Sequence, residues 1–249
     1  MMDLLALSTK RILVTGASSG IGRACARMLS ELGASVIITG RNNDALAETR
    51  RMMSAPERHI LVSGDICEDA FVEDLTQNIG KIDGLVHAAG TCPALSINVA
   101  DADIVIDSMR VNYVAFMSLM RRYARRKYSN DGFSAVAIAS VSAMAGWAGG
   151  SLYSGSKGAV CSAVKSLAIE LAPRVRVNAV CPSNIKTPMF DSLAAEINDE
   201  RGLEELRRKQ VLGIGKPEQV AGPVCFLLSE AASFITGICM PVDGGYLAQ

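Results

Sequence analysis

Thr15-Gly-Ala-Ser-Ser-Gly-Ile-Gly22 is the stretch of sequence that decides the fold. It lies between an apolar run over residues 11–15, typical of a buried strand, and a helical pattern over residues 20–32. Glycines here let the backbone turn tightly and approach a pyrophosphate, and the start of a helix supplies free N–H groups and a positive dipole end. A strand before the loop and a helix after it predict a dinucleotide-binding βαβ unit.

Strands and helices alternate along the whole chain. Apolar runs at residues 12–14 and 36–38 are typical of strands buried on both faces of a sheet. We therefore expect an α/β fold, with a single Rossmann-type, doubly wound parallel sheet of about seven strands and helices on both faces. Strands are predicted over residues 11–15, 35–39, 59–63, 84–88, 135–140, 175–181 and 237–242, and helices over residues 20–32, 43–53, 68–79, 101–127, 152–172, 188–212 and 217–229. No linker divides the chain, so residues 1–249 are expected to form one dinucleotide-binding and catalytic domain.

Composition excludes several classes of protein. Apolar residues make up 49% of the 249, and 25 basic residues balance 25 acidic ones, which argues against a disordered chain and against a nucleic-acid binder. Seven scattered cysteines without a C-x-x-C pair, together with two histidines, fit neither a disulfide framework nor a metal site. They predict reduced thiols in a cytoplasmic protein. The N-terminus lacks the pattern of a secretion signal, and the uncharged stretch 132–156 is too rich in Ser and Gly to predict a membrane span.

The end of the second predicted strand, Thr39-Gly40-Arg41, bears on the choice of cofactor. A carboxylate there would bind the ribose 2′-hydroxyl of NAD, and Gly40 supplies none. The Arg41 guanidinium can pair with the 2′-phosphate of NADP, so NADP(H) is expected in preference to NAD(H). A solvated surface arginine is the alternative. Asp65, after the third predicted strand, could accept a hydrogen bond from the adenine amino group or simply form a turn.

Tyr153 and Lys157 stand four residues apart, on one face of a predicted helix. An ammonium beside a phenol stabilises the phenolate and so lowers the phenol pKa. Such a phenol can exchange a proton with an alcohol or a carbonyl, although this spacing alone also fits an ordinary surface pair. Ser140 ends the preceding predicted strand at the carboxyl edge of the sheet, where open α/β sheets bind ligands. Asn112 lies on the predicted long helix.

Over nearly its whole length the chain resembles the short-chain dehydrogenase/reductase family, and especially its 3-oxoacyl-(acyl carrier protein) reductases. The resemblance rests on TGASSGIG at 15–22, Asp65-Ile66, His87-Ala-Ala-Gly90, Asn112, Ser140, Tyr153 with Lys157, Arg176-Val-Asn-Ala-Val-Cys-Pro182, Thr187-Pro-Met189 and Val242-Asp-Gly-Gly245. Three departures concern the cofactor: His87-Ala88 replaces the usual Asn-Asn, Ser183 replaces a glycine, and Ser19 stands where many NADP-dependent members have a basic residue.

The resemblance implies a role for each residue of the site. Tyr153 would be the general acid/base, and Ser140 would hydrogen-bond the substrate carbonyl. Lys157 would hold the nicotinamide ribose and lower the Tyr153 pKa, and Asn112 would position a water that relays protons. The implied cofactor-binding residues are Gly16, Ser18, Ser19, Gly20, Ile21, Gly22, Arg41, Asp65, Ile66, Ala89, Gly90, Tyr153, Lys157, Pro182, Ile185 and Thr187.

The substrate is expected to contact Ser140, Trp147, Tyr153 and Met189. We expect the pocket to be lined by residues 140–153, including Met144, by residues 92–95, and by a substrate lid at about 188–212. Trp147 could instead pack on a helix or a neighbouring subunit. Residues 121–127 hold five basic side chains, which suit a solvated helix end. The resemblance implies instead that these residues, with Arg174, meet an acidic carrier. A polar lid would equally suit a nucleotide sugar.

These observations favour an NADPH-dependent oxidoreductase that interconverts a carbonyl and a secondary alcohol, similar to the 3-oxoacyl thioester reductases. The substrate would be a small molecule, either free or carrier-bound. The alternative within this class is a ketoreductase or dehydrogenase for a sugar, a nucleotide sugar or a steroid-like alcohol. A protein of another class, a non-catalytic NADP(H)-binding sensor or scaffold, is disfavoured because Tyr153 and Lys157 are both intact.

The resemblance also implies a homotetramer, or at least a dimer. In the family, the helices matching residues 101–127 and 152–172 pair across a two-fold axis. The apolar stripe of Val160, Val164, Leu167 and Leu171 suits such an interface, but it equally suits burial against the sheet.

Overall fold

A computed structural model describes residues 5–197, 204 and 208–249. Its strands are β1 Arg11–Thr15, β2 Ser35–Gly40, β3 Ile60–Ser63, β4 Ile82–His87, β5 Ser129–Ile138, β6 Val175–Pro182 and β7 Cys239–Val242. They form one seven-stranded sheet in the order β3-β2-β1-β4-β5-β6-β7, and every neighbouring pair is parallel. The predicted Rossmann-type sheet is therefore confirmed.

Helices cover both faces of the sheet. They are α1 Gly20–Glu31, α2 Asn43–Arg51, α3 Asp69–Asn78, α4 Ala102–Met109, a π turn Arg110–Val114, α5 Ala115–Tyr123, α6 Ser151–Leu171, α7 Pro188–Ile197 and α8 Pro217–Leu228. Apolar side chains of α1 and α8 pack on one face, and those of α3, α5 and α6 pack on the other. Neither these helices nor any other in the described part of the chain is long and apolar enough to cross a membrane.

The buried strands follow directly from the sequence pattern. Successive side chains of a strand point to opposite faces, so Leu13 and Ile37 enter one core while Val14 and Ile38 enter the other. Gly33 ends the first helical segment with a positive φ of 83°, which a residue without a Cβ adopts at no steric cost. This arrangement brings the carboxyl ends of β1, β2, β4, β5 and β6 to one edge.

Several predicted boundaries are wrong. Strand β5 begins at Ser129, not at residue 135, because its first residues pair with β4 across a register shift between Ile82 and Gly84. The predicted helix 101–127 is interrupted by the π turn and ends at Tyr123. His59 precedes β3 and is buried, where its Nδ1 accepts a hydrogen bond from Val36 N at 3.2 Å.

Two further expectations concern α6 and the lid. Val160, Val164 and Leu167 are buried against the sheet, so within the chain this stripe belongs to the core. In the predicted lid, the described helical residues are those of α7 together with residues 204 and 208. Residues 198–203 and 205–207 lie outside the described residues. Residues 210–213 form a turn in which Gly213 N donates to Gln210 O, so the helix predicted to reach residue 212 is wrong at its end.

Candidate active site

A cavity of about 630 Å³ opens at the carboxyl edge of the sheet. Every residue that the sequence analysis assigned to the cofactor lies on its wall: Gly16, Ser18, Ser19, Gly20, Ile21, Gly22, Arg41, Asp65, Ile66, Ala89, Gly90, Tyr153, Lys157, Pro182, Ile185 and Thr187. The four expected substrate contacts, Ser140, Trp147, Tyr153 and Met189, lie on the same wall. The fold thus brings together two sets of residues that are far apart in the sequence.

The glycine-rich loop can take its path only without side chains at two positions. Gly16 has φ 64°, and a Cβ there would lie 2.6 Å from Ala89 N. A Cβ on Gly22 would collide with the carbonyl oxygen of Gly16. Ser19, the N-cap of α1, makes no capping hydrogen bond through its side chain. The first N–H groups of α1 can therefore serve an anion that approaches this cradle, so the loop fits the pyrophosphate of a dinucleotide.

The far end of the cavity is formed by residues that follow β2 and β3. A Cβ on Gly40 would lie 2.7 Å from Ser18 Oγ, so a side chain at this position would require the Ser18 hydroxyl to shift. Arg41 lines the cavity and is exposed. Asp65 also lines it, and its Oδ1 accepts from Cys67 N at 2.9 Å, so it does form a turn.

Arg23, which sequence reasoning missed, holds the glycine-rich loop in place through hydrogen bonds. Its Nη2 donates to Ser18 O at 2.6 Å and to Glu48 Oε2 at 2.9 Å, and its Nε donates to Thr49 Oγ1 at 3.0 Å. Thr49 Oγ1 in turn lies 2.8 Å from Ala17 O, to which it can donate. The loop backbone is therefore held by α1 and α2 together. No local pattern could have identified the contacts of Arg23 with Glu48 and Thr49, since they join residues about 25 positions apart in the sequence.

Tyr153 and Lys157 face the cavity from α6. Lys157 Nζ donates to Ile138 O at 2.8 Å and lies 5.7 Å from the centroid of the Tyr153 ring. Burial lowers the pKa of Lys157 to about 8. Burial raises the pKa of Tyr153 above its ordinary value, although a hydrogen bond with Ser140 acts in the opposite direction. Removal from water dominates in this arrangement, so the net direction of the Tyr153 pKa is upward, opposite to the effect expected of Lys157 alone.

Ser140 is buried at the junction of β5 and the substrate side of the cavity. Strand β5 ends at Ile138, so Ser140 does not end the strand as predicted but caps the short turn Val141–Ala143. Its Oγ accepts from Ser142 N at 3.1 Å and donates weakly to Pro182 O at 3.5 Å. These contacts fix the hydroxyl beside Tyr153.

Asn112 lies behind the cavity wall, in the π turn, and is fully buried. Its Oδ1 accepts from Thr91 N at 2.9 Å, and its Nδ2 donates to Thr91 O at 2.9 Å and to Ser156 Oγ at 2.8 Å. Both amide protons are thus engaged in a clamp between the loop after β4 and α6. Gly90 makes room for this clamp, because a Cβ there would lie 3.0 Å from Asn112 Oδ1 and 3.3 Å from Lys157 Nζ.

His87, one of the departures from the family pattern, is buried at the end of β4. Its Nδ1 lies 3.2 Å from Thr15 Oγ1, and that hydroxyl accepts from Ala89 N at 3.2 Å. Burial lowers the pKa of His87 to about 3, so the ring is neutral near pH 7. The Thr15 hydroxyl can therefore donate to Nδ1, which links the end of β1 to the loop that contacts Gly16.

The wall of the cavity also carries residues that were predicted to contact the substrate. Trp147 donates from Nε1 to Ser142 Oγ at 3.1 Å, which fixes its indole on the wall. Sequence reasoning missed Tyr246, which is positioned by the turn after β7, where Gly244 and Gly245 have positive φ. Other lining residues are Cys92, Val141, Ala148, Phe190, Leu193 and Lys209. Met144, Leu95 and Leu212 were expected to line the pocket but do not; Met144 is 48% exposed and Leu212 is 84% exposed.

The basic residues near the end of α5 are mostly paired with carboxylates. Arg121 contacts Asp69 at 3.0 Å, Arg122 contacts Glu73 at 3.5 Å, and Arg126 contacts Asp131 at 2.7 Å. Arg174 donates to the carbonyl of Ala124 and, at 3.0 Å, to Ser129 Oγ. Because the helix ends at Tyr123, residues 125–127 belong to the following turn and not to a helix terminus.

Comparisons with known proteins agree with this geometry. A family model described as enoyl-(acyl carrier protein) reductase matches residues 16–247. The chain is 36% identical over 253 residues to the 3-oxoacyl-[acyl-carrier-protein] reductase FabG of Rickettsia prowazekii, covering 98% of this chain and 99% of the relative. It is 34% identical over 249 residues to the L-rhamnose 1-dehydrogenase (NAD(P)(+)) of a Sphingomonas species, covering 96% of each.

Comparison with a solved structure shows that the similarity extends from the sequence to the fold. The short-chain dehydrogenase/reductase from Brucella melitensis, described as a glucose/ribitol dehydrogenase, superposes with a TM-score of 0.86 at 30% identity, covering 95% of this chain and 96% of that one. The agreement extends over nearly all of each protein. The chain therefore belongs to the short-chain dehydrogenase/reductase family of oxidoreductases.

Proposed function

We propose that this protein is an NADP(H)-dependent oxidoreductase that interconverts a carbonyl and a secondary alcohol, with Tyr153 as the general acid/base. The convergence of Ser140, Tyr153 and Lys157 on one wall of the cavity that begins at the glycine-rich loop carries this proposal. The nicotinamide cofactor supplies the hydride when it is bound. The chain's own residues must then orient the carbonyl and transfer the proton.

The proton chemistry follows from the surroundings of Tyr153. Its raised pKa keeps the phenol protonated near pH 7, which is the form that donates a proton in carbonyl reduction. The Ser140 hydroxyl, held beside Tyr153, can hydrogen-bond the same carbonyl oxygen. Lys157, with a pKa of about 8, can gain and lose a proton near the working pH, and it faces the cavity where a nicotinamide ribose would bind. We assign Asn112 to the proton relay only as a positioning residue, since its amide protons already serve the clamp on Thr91 and Ser156.

A preference for NADP(H) is supported by the far end of the cavity. Gly40 brings no carboxylate that would repel a 2′-phosphate, and Ser18 Oγ fills the space where one would stand. Arg41 is exposed beside it and offers a guanidinium that can pair with that phosphate. The relative from Sphingomonas, named as using NAD(P)(+), is consistent with either cofactor.

The substrate we propose is a 3-oxoacyl thioester or a compound of similar shape. Trp147, Phe190 and Leu193 offer an apolar wall that suits an acyl chain better than a polyol. Because Arg121, Arg122 and Arg126 are already paired with carboxylates, a free thioester is a simpler substrate than one held by an acidic carrier. A sugar is the second candidate, favoured by the similarity to an L-rhamnose dehydrogenase.

The proposal includes a homotetramer, or at least a dimer, in a cytoplasmic setting. Val105 and Ile106 on α4 and Val114 in the π turn are 40%, 60% and 52% exposed, and a second copy covering this surface would remove them from water. No disulfide joins any of the seven cysteines, all of which lie in the described residues, as is usual in a reducing compartment. Light scattering at micromolar concentration tests the assembly, and a monomeric mass would contradict it.

The decisive experiment is a turnover assay with NADPH across acetoacetyl thioesters and keto sugars. We expect reduction of the thioester, and we expect Tyr153→Phe to lower it by roughly 10²–10⁴-fold while NADPH still binds. Turnover with keto sugars alone would favour the second candidate. NADPH binding without turnover of any carbonyl would instead favour a sensor or scaffold.

A further inference from the structure

Three thiols lie together beneath α6, apart from the cavity. Cys161 and Cys181 have their Sγ atoms 3.8 Å apart, and Cys239 Sγ lies 3.6 Å from Cys161 O. We call Cys161, Cys181 and Cys239 the thiol triad. Cys161 and Cys181 are buried, whereas Cys239 is half-buried and is the most exposed residue of the three.

The fold places the triad by strand register and helix periodicity. Cys239 pairs with Ala179 in the β6–β7 ladder, so Cys239 and Cys181 lie on the same face of the sheet. Cys161 comes from α6, which packs on that face, one helical turn after Lys157. Cys181 directly precedes Pro182, which lines the cavity. The triad therefore connects α6, which carries Lys157, with β6, whose last residue Pro182 lines the cavity.

We propose that the thiol triad is an oxidation site for hydroperoxides, with Cys239 as the attacking thiol and a disulfide as the product. The Cys239 thiolate attacks the outer oxygen of the peroxide and the O–O bond breaks, which leaves a sulfenic acid. The departing alkoxide or hydroxide takes a proton from water and leaves as an alcohol or as water. Cys161 then attacks the sulfenic sulfur, and water leaves as the Cys161–Cys239 disulfide forms. Two thiols thus lose two electrons, which reduce the peroxide. Exchange with Cys181 passes the bond to Cys161–Cys181 and restores the Cys239 thiol.

The charges around the triad favour this order of events. Hydrogen bonds from Cys161 and Cys181 lower the pKa of Cys239, and the nearby Lys165 ammonium acts in the same direction. The pKa of Cys181 is raised, mainly by its hydrogen bonds with the other two thiols. The direction of these shifts favours the thiolate, which is the reactive form, on Cys239, the least buried member of the triad.

Oxidation should also lower turnover, and this consequence, unlike the oxidation itself, rests on the proposed function. The Cys161 and Cys181 sulfurs must approach from 3.8 Å to about 2.05 Å, which draws α6 towards β6. Lys157 lies one turn away on α6, held to Ile138 O at 2.8 Å, and Pro182 follows Cys181 directly. We expect at least a roughly tenfold loss of turnover, since small displacements of positioned groups have effects of this size.

The test treats the intact protein with a small excess of hydrogen peroxide and follows its mass and thiols. We expect a product about 2 Da lighter that has lost two thiols, with the bond mapped by peptide analysis to Cys161–Cys181, and full reversal by dithiothreitol. Cys239→Ser should slow disulfide formation at least tenfold. Cys67→Ser, which removes a half-buried thiol outside the triad, is the matched control and should oxidise at the wild-type rate. Cys239→Ala is the second variant, in case the serine disturbs folding.

Retention of all seven thiols under peroxide, a disulfide between cysteines outside the triad, or an unchanged oxidation rate in both Cys239 variants would overturn the proposal. The mass and thiol readouts need no substrate. They therefore decide the oxidation site even if no carbonyl compound is turned over, and failure of the proposed function is recognised separately.

Discussion

Gly16→Ala is the substitution whose effect can best be calculated from the structure. An alanine at φ 64° carries the strain of the left-handed region, about 1–2 kcal/mol. Its Cβ would also lie 2.6 Å from Ala89 N, whereas ordinary contact begins near 3.4 Å, so the loop and Ala89 must separate by about 0.8 Å. Ala89 N is held by Thr15 Oγ1 at 3.2 Å, so the loop has to take up much of this shift.

We therefore expect Gly16→Ala to lose stability and cofactor affinity together. Displacement of the pyrophosphate cradle should raise the Kd for NADPH by roughly 10–100-fold, about 1.4–2.8 kcal/mol. Gly132→Ala is the matched control, because Gly132 has φ 81° but no heavy atom within 4 Å of its added Cβ, and it lies at the amino-terminal end of β5, away from the cavity.

The assay combines urea unfolding with a fluorescence titration of NADPH for both variants. Gly132→Ala should lose about 1–2 kcal/mol of unfolding free energy and keep wild-type affinity. Gly16→Ala should lose at least as much stability and, in addition, the affinity. If the two variants bound NADPH equally well, the glycine-rich loop would not be the cradle of the cofactor, and the reasoning would be refuted.

The remaining predictions concern the cofactor and the residues that we propose to act in catalysis. Arg41→Ala should weaken NADPH far more than NADH, and equal affinities of the wild type for both cofactors would contradict the proposed preference. Ser140→Ala should lower turnover with little change in NADPH affinity, and both are read from steady-state kinetics beside a cofactor titration. The lowered Lys157 pKa means that the unfolded chain binds more protons between about pH 8 and the ordinary lysine value. Stability of the wild type should therefore rise across that interval relative to Lys157→Met, by up to about 3 kcal/mol, and parallel urea-unfolding profiles of the two proteins would refute it.

The sequence predicted the sheet well because the apolar runs that indicate its strands are local patterns. Residues 12–14 and 36–38 are short apolar runs, and such runs are stable only where both faces of a strand are covered. The glycine-rich loop was predictable for the same reason, since its strand, turn and helix are contiguous. Tyr153 and Lys157 share a cavity wall because four residues make about one helical turn.

Features that depend on contacts between residues far apart in the sequence could not be predicted from local patterns. Strand β5 begins in a polar stretch, and only its pairing with Ile82 across the register shift extends it back to Ser129. The π turn adds no recognisable side-chain pattern to an otherwise helical segment. Tyr246 reaches the cavity through a turn held by Asp243, whose carboxylate accepts from Gly245 N and Leu247 N, and such a turn does not reveal the direction of the following side chain.

Asn112 holds the loop after β4 and helix α6 together, and it does so next to Lys157. Its amide ties Thr91 to Ser156, and Ser156 directly precedes Lys157 on α6. Gly90 approaches both Asn112 and Lys157 because it has no Cβ. Removal of the Asn112 amide would leave Thr91 and Ser156 without these partners in a buried region, and so would loosen the loop and the helix together. A loss of turnover in an Asn112 variant therefore reports a proton relay only if Lys157 is shown to keep its place. A Lys157 pKa that is as far below the ordinary lysine value in the variant as in the wild type is the observation that separates the two roles.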